Sequence, residues 1–319
     1  MAARKRIKGN LSLTEVSTRQ KHLTKKELEL RNTCSGPVCP PVPMKLRRSN
    51  GKELFNFHDY AVPVYFQKEI PLSAIYKKEL KLTYMEQVFE NQVKVGEGSF
   101  GNVYRARSKE DNEYYAIKVA KNNHTSYSEK FGEVLRLEKI EEHERCVKYF
   151  LAWEEQGHLY IQLELCMTSL DKYAQQNHYI PEQQMWDILI DILEALKHLH
   201  NRNLIHLDIK PENIMITSEG IYKLGDFGLL LDLNEFKNKK NHHSSVNVSE
   251  GDSKYLAAEV LQEIYTTASD VFSLGISMLE LATDLMLPTN GPLWHQLRSG
   301  IYPKLFEESK YFTINILAM

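Results

Sequence analysis

The amino-acid sequence predicts a two-lobed α+β fold with a cleft between a strand-rich first lobe and a helical second lobe. Three observations carry that prediction. Short runs with period-two alternation begin at about residue 85, apolar stripes at helical spacing follow them, and no internal repeat divides the chain. With 319 residues, 42% of them hydrophobic, there is enough apolar material for one large domain and a tail.

Residues 1–84 come first and are expected to form a basic, largely disordered arm, because Lys, Arg, Ser, Thr and Pro dominate and apolar positions are scattered. The first 52 residues hold thirteen Lys/Arg against three Asp/Glu, leaving 27 against 39 in the remainder, so a basic tail precedes an acidic body. The cluster Arg4, Lys5, Arg6, Lys8 reads as solvated charge before it reads as a nuclear address, a membrane-surface contact or a nucleic-acid patch. No interleaved aromatics or reader motif accompany it, so no specific nucleic-acid partner is expected.

Residues 85–319 form the body, with an N-lobe over 85–164 and a C-lobe over 165–319. "VKVGEGSFGNVYRAR" and "YYAIKVA" read as strands, and in the second Ala116, Lys118 and Ala120 share one face while Tyr115, Ile117 and Val119 share the other. A capping box from Ser126 to Glu129 opens a helix with Phe131, Val134, Leu135 and Leu137 as its apolar stripe and Glu133 in its first turns. "EQGHLYIQLELC" returns to strand. Pro181 marks a helix start, after which Met185, Ile188, Leu189, Ile192, Leu193, Leu196 and Leu199 recur at helical spacing. "DVFSLGISMLELATDL" is apolar nearly all round and predicts a helix buried on every side.

Cys34, Cys39, Cys146 and Cys166 are too few and too scattered for a disulfide framework, and the Cys34/Cys39 pair supplies half of a structural zinc site. They read as reduced thiols, placing the chain in the cytoplasm, with the nucleus as the alternative. No apolar run resembles a signal-peptide core or reaches about 18 residues, so no membrane span is expected in this chain.

The chemistry concentrates in four motifs. "GEGSFGNV" places Gly96, Gly98, Gly101 and Val103 in a Gly-x-Gly-x-x-Gly-x-Val pattern, whose missing side chains let backbone N–H groups approach phosphates. A dinucleotide-binding fold would require these glycines to open a helix, and a Walker-type loop would end in Gly-Lys-Ser/Thr; neither feature is present. Lys118, in "AIK", is positioned to reach α- and β-phosphates, and Glu133 can orient its ammonium. Taken singly, they read as an exposed strand lysine and a solvated helix charge. "HLDIKPEN" then supplies a carboxylate for an attacking hydroxyl in Asp208, a cation for the transferring phosphoryl in Lys210 and an amide oxygen for a metal in Asn213. "DFG" follows, where Asp226 can chelate Mg²⁺ bridging the phosphates. The ordered set removes the bland readings.

On these motifs the chain resembles a eukaryotic protein kinase from about residue 88 nearly to its end. "RSKEDNEYYAIK", "LAWEEQGHLYIQLELC", "GDFGLLLDL", "EGDSKYLAAEVLQ" and "DVFSLGISMLELATDLMLP" resemble the Wee family, most closely its membrane-associated tyrosine- and threonine-specific branch. The resemblance implies the two-lobed kinase fold, use of ATP and Mg²⁺, and phosphorylation of the paired Thr and Tyr in the glycine-rich loop of a mitotic cyclin-dependent kinase, held with its cyclin as protein substrate. Such modification inhibits the substrate and delays mitotic entry. It further implies Asp208 as catalytic base, Lys118 and Glu133 as the ion pair, Lys210 as the γ-phosphate contact, and Asn213 and Asp226 as metal ligands. The nucleotide would lie against Val95, Gly96, Glu97, Gly98, Ser99, Phe100, Gly101, Asn102, Val103, Ala116, Lys118, Glu164 and Cys166, with "ELCM" at 164–167 hydrogen-bonding adenine through its backbone. A complete family member would be expected at endoplasmic reticulum or Golgi membranes through a C-terminal segment absent here.

Several positions depart from the common pattern. Leu207 stands where many kinases carry the Arg that pairs with an activation-loop phosphate, which predicts activity independent of that phosphate. Leu163 occupies the gatekeeper position, and Ala258 replaces the Pro of Ala-Pro-Glu. "SKYFTINILAM" resembles the start of a late helix, so the C-lobe is expected to lack its final helix and the Arg that would pair with Glu259. The motif "HLDIKPEN" is of the Ser/Thr type, and dual Thr/Tyr specificity comes from the resemblance alone. The alternative is a kinase-like fragment that occupies its partner without transferring phosphate.

Overall fold

The computed structural model describes residues 58–97, 101–120, 127–241 and 251–301. Strands β1 (Val62–Val64), β2 (Phe89–Glu97), β3 (Gly101–Ser108), β4 (Tyr114–Ala120), β5 (Tyr149–Glu155) and β6 (His158–Glu164) make a six-stranded antiparallel sheet in the order β1-β5-β6-β4-β3-β2. Between β1 and β2 lies the short helix α1 (Tyr84–Val88), and α2 (Tyr127–Ile140) crosses from β4 to β5. Below the sheet come β7 (Thr168–Ser169), α3 (Leu170–Gln176), α4 (Glu182–His200), β8 (Leu204–Ile205), β9 (Ile214–Ile216), β10 (Tyr222–Leu224), β11 (Leu231–Asp232), α5 (Leu233–Asn241), α6 (Thr267–Thr283) and α7 (Gly291–Arg298).

The strand-then-helix order predicted from the sequence is what the chain adopts. On β4 Ala116, Lys118 and Ala120 are buried on one face and Ile117 on the other, so both faces of this central strand are covered. The stripe of α4 buries Met185, Ile188, Leu189, Ile192, Leu196 and Leu199, and Pro181 is its N-cap residue. On α2, Phe131, Val134 and Leu137 are buried in the same core cluster. The predicted capping box at Ser126 and Glu129 lies outside the described residues and side chains. Helix α6 is not buried on every side: Val271 is 47% exposed, while Ser273 and Ser277 are buried because their hydroxyls donate to carbonyls one turn back, at 3.0 and 2.8 Å.

The expected arm over 1–84 needs correction. Residues 58–84 are part of the folded lobe, with Val62, Pro63 and Val64 of β1 opposite Glu154, Trp153 and Ala152 on the edge of β5. The Tyr84 ring lies tilted with its centroid 4.7 Å from that of Trp153, and the Tyr76 hydroxyl accepts from the Ala61 N–H at 2.8 Å. A capping box of Thr83 and Glu86 starts α1, so the boundary placed at 84 falls inside an ordered turn. The few apolar positions suffice because they find partners in a sheet already formed. Residues 1–57, with Cys34 and Cys39, lie outside the described residues.

The lobes are stitched behind the cleft. Val147 N–H donates to the Leu224 carbonyl and Leu224 N–H to the Arg145 carbonyl, both at 2.8 Å, so β10 carries a rung of the first lobe.

Candidate active site

Chain topology brings the four motifs together. The glycine hairpin joins β2 to β3, with Gly96 opposite Val103 and Glu97 opposite Asn102. Its tip, Gly98, Ser99 and Phe100, lies outside the described residues. At Gly101 a Cβ would sit 2.2 Å from the Val119 carbonyl oxygen, so only glycine lets β3 approach β4 this closely. Val103 is paired with Lys118 across that ladder, and Ala116 with Leu163 on β6. Val95 is exposed, Ala116 buried.

Lys118 is the junction of three elements. Its Nζ donates to Glu133 Oε1 at 2.6 Å, from α2, and lies 3.5 Å from Asp226 Oδ1 beyond β10. Burial works against the ammonium, but the two carboxylates outweigh it and hold the Lys118 pKa above the ordinary lysine value. Burial likewise works against the Asp226 carboxylate, yet Lys118 brings its pKa below the usual carboxyl range. The Asp226 side chain is 32% exposed, so it faces the open cleft from a deep position.

Asp208 anchors the second half of the site. Its carboxylate accepts from Lys210 Nζ at 2.9 Å, from Asn213 Nδ2 at 2.8 Å and from the Asp252 N–H at 3.2 Å. The backbone of Asp208 is fixed too: its carbonyl accepts from Asn213 Nδ2 at 2.8 Å, and its N–H donates to His206 Nδ1 at 3.2 Å. His206 Nε2 then donates to the Gly225 carbonyl at 3.0 Å, and the tautomer protonated on Nε2 satisfies both bonds. Gly225 N–H donates to the Asn213 carbonyl at 2.9 Å, which ties the loop bearing Asn213 to the residue preceding Asp226.

The donor chemistry of Asn213 and Asp226 suits a hard divalent cation. An amide oxygen and an ionised carboxylate are oxygen ligands of the kind Mg²⁺ takes in ones and twos, leaving its other positions to phosphates and water. Among the described residues no cluster of three or more His, Cys, Asp or Glu could cage a metal by itself.

The stretch 164–167 links the lobes. Glu164 is held by its side chain, which pairs with Lys223 at 2.6 Å and accepts the Lys148 N–H at 3.1 Å. Met167 N–H donates to the Ile216 carbonyl at 2.8 Å. Burial pushes the Cys166 thiol up to about 12, so it is a protonated wall residue.

Leu207 sits at φ 64°, in the left-handed region, and is buried with Ile205, Leu233, Leu256, Ala257 and Val260. An apolar contact therefore joins the Asp208 loop to residues 251–262. Sequence reasoning missed three supports of this loop. Asp270, 1% exposed near the start of α6, accepts the N–H groups of His206 and Leu207 at 2.9 Å each and His200 Nε2 at 2.9 Å. Asp252 supplies the backbone donor to Asp208 described above, and Gly251 lies so close that a Cβ would meet the Leu207 carbonyl oxygen at 2.2 Å. A lone Asp in a predominantly apolar helix was the available signal for Asp270. Glu259, expected to lack an arginine partner, accepts from the Ser269 hydroxyl at 3.2 Å.

Residues 89–304 match the family model for the protein kinase domain. The chain is 46% identical over 231 residues to the membrane-associated tyrosine- and threonine-specific cdc2-inhibitory kinase of Drosophila melanogaster, an alignment covering 71% of this chain and 42% of that protein. To the corresponding wee-1.3 kinase of Caenorhabditis briggsae it is 48% identical over 225 residues, covering 70% and 33%. To the mitosis inhibitor protein kinase wee1 of Schizosaccharomyces pombe it is 35% identical over 221 residues, covering 66% and 24%. The chain thus spans less than half the length of these curated relatives. Among the described residues no helix is long and apolar enough to cross a membrane.

Proposed function

The chain belongs to the protein kinase family, and from that premise we propose that it transfers the γ-phosphoryl group of ATP to Thr and Tyr in the glycine-rich loop of a mitotic cyclin-dependent kinase, inhibiting it and delaying mitosis. One observation carries the chemistry: Lys118 lies 2.6 Å from Glu133 and 3.5 Å from Asp226, uniting three residues remote in sequence around one ammonium. That charge is matched to the α- and β-phosphates. Asn213 and Asp226 would hold Mg²⁺, which when bound neutralises charge on the phosphates.

The substrate oxygen forms its bond to γ-phosphorus as the bond from γ-phosphorus to the β,γ-bridging oxygen breaks, and ADP leaves. Asp208 accepts the hydroxyl proton. Its carboxylate is aimed for this by Lys210, Asn213 and the Asp252 N–H, and Lys210 also presents its ammonium to the migrating phosphoryl. The choice of substrate rests on the relatives, whose names assign them tyrosine and threonine specificity and cdc2 inhibition.

Purified chain, Mg-ATP and a cyclin-bound kinase test the reading. Phosphate is expected on Thr or Tyr of the substrate's glycine-rich loop, and Asp208→Asn is expected to lower transfer by about 10²–10⁴-fold while nucleotide still binds. Phosphate found elsewhere on the substrate, or transfer surviving in the variant, would refute it.

A further inference from the structure

Helix α2 is tethered around its whole circumference. At about 100° per residue, with Glu133 as origin, Lys130 lies roughly 60° and Glu138 roughly 140° to one side, and Lys139 roughly 120° to the other. Glu133 meets Lys118. Lys130, itself buried, donates to Glu154 at 2.6 Å and to the Gly157 carbonyl at 2.8 Å at the turn between β5 and β6. Lys139 pairs with Asp232 at 2.9 Å and with Glu235. The fourth tether comes from chain that precedes the glycine hairpin: the Glu138 carboxylate accepts the N–H groups of Phe66 and Gln67 at 2.9 and 2.6 Å.

Residues 58–70 thus run as a strap across the lobe. One end is fixed by β1 on the edge of β5 and by the His58 carbonyl, which accepts the Gln156 N–H at 2.9 Å. The other end is held by Glu138. Val64 and Phe66 pack with the core cluster that holds Phe131, Val134 and Leu137 of α2, while a cavity of about 400 Å³ remains between Gln67 and Ile70 on the strap and Leu137, Glu138, His143 and Tyr149 opposite. The two charge-assisted hydrogen bonds to Glu138 add to that packing a hold directed at this helix.

We propose that residues 58–70 are a positioning strap for α2: by engaging Glu138 they set the rotation of the helix and so keep Glu133 on Lys118. Glu138 and the Gln67 N–H are then positioning groups that act through Glu133. The activity part of this inference rests on the kinase reading; the tether itself does not.

The test uses the full chain with two variants that cut the same contact from opposite sides, Glu138→Leu and Gln67→Pro, the latter removing a backbone donor without touching α2. Each is expected to speed hydrogen exchange of the α2 amides by about tenfold, leave α4 protected as before, and lower kcat by about tenfold with little change in the KM for protein substrate. The double variant should be no worse than the stronger single one. Unchanged α2 exchange in both variants overturns the strap, and so does a loss of protection spread equally to α4, which would make residues 58–70 a general fold element. Loosened α2 in a chain that transfers no phosphate at all would uphold the tether and refute the kinase reading.

Discussion

Replacing Leu207 by alanine probes the apolar junction beneath the Asp208 loop. The side chain is 5% exposed among Ile205, Leu233, Leu256, Ala257 and Val260. Its truncation loses about 2.4 kcal/mol of transfer free energy at about 0.8 kcal/mol per carbon. The cavity left behind raises the cost to about 3–4 kcal/mol. For a domain of this size that is a fall in Tm of roughly 6–16 °C. Because Leu256, Ala257 and Val260 belong to the segment carrying Asp252, kcat should drop together with Tm. Leu207→Arg should be worse than alanine, since a guanidinium would be buried without a partner. Thermal melts and phosphotransfer assays before and after phosphatase treatment decide it. A melt unchanged in Leu207→Ala, or native activity abolished by removing phosphate, would show that the apolar junction does not replace a phosphate tether.

Other consequences follow from the same loop. Asp270→Ala leaves the His206 and Leu207 N–H groups without their acceptor at a cost of about 2–5 kcal/mol, read in denaturant melts; a cost below about 1 kcal/mol would contradict the bonding described. Gly251→Ala drives a Cβ to 2.2 Å from the Leu207 carbonyl oxygen and 3.1 Å from Asp208 Oδ1, so kcat should fall while nucleotide affinity stays. Equal loss of both would argue against a local effect on Asp208. The Asp226 carboxyl, lowered from 3.8, contributes stability that is present above that value and lost as pH falls through the lower folded value. The stability difference between the native chain and Asp226→Asn should therefore hold constant from about pH 8 to 5; shrinkage near pH 6 would show that Lys118 does not depress it.

The groups proposed to react stand out in the sequence because each carries its information in a few adjacent letters. Lys118 announces itself on a small-residue face, and Asp208, Lys210 and Asn213 sit at fixed offsets on one loop. What supports them was not legible, because it arises from contacts between distant segments. Asp270 reads as an ordinary polar interruption of a helix until His206 and Leu207, 64 and 63 positions away, deliver their N–H groups to it. β1 is three residues long, and its partner lies beyond five intervening elements, so local periodicity carries no trace of the pairing. Glu138 and Lys130 look like solvated helix charges for the same reason. Leu207 was conspicuous as a letter, but its left-handed backbone and its apolar neighbours belong to the folded chain.

The rung between residues 145–147 and Leu224 has a kinematic consequence. Two short backbone bonds at the rear make the lobes behave like boards joined along a seam, so breathing of the cleft rotates about that seam instead of separating the lobes. Opening about this seam would displace Asp226, two positions past Leu224, less than the strands of the first lobe that lie farther from it.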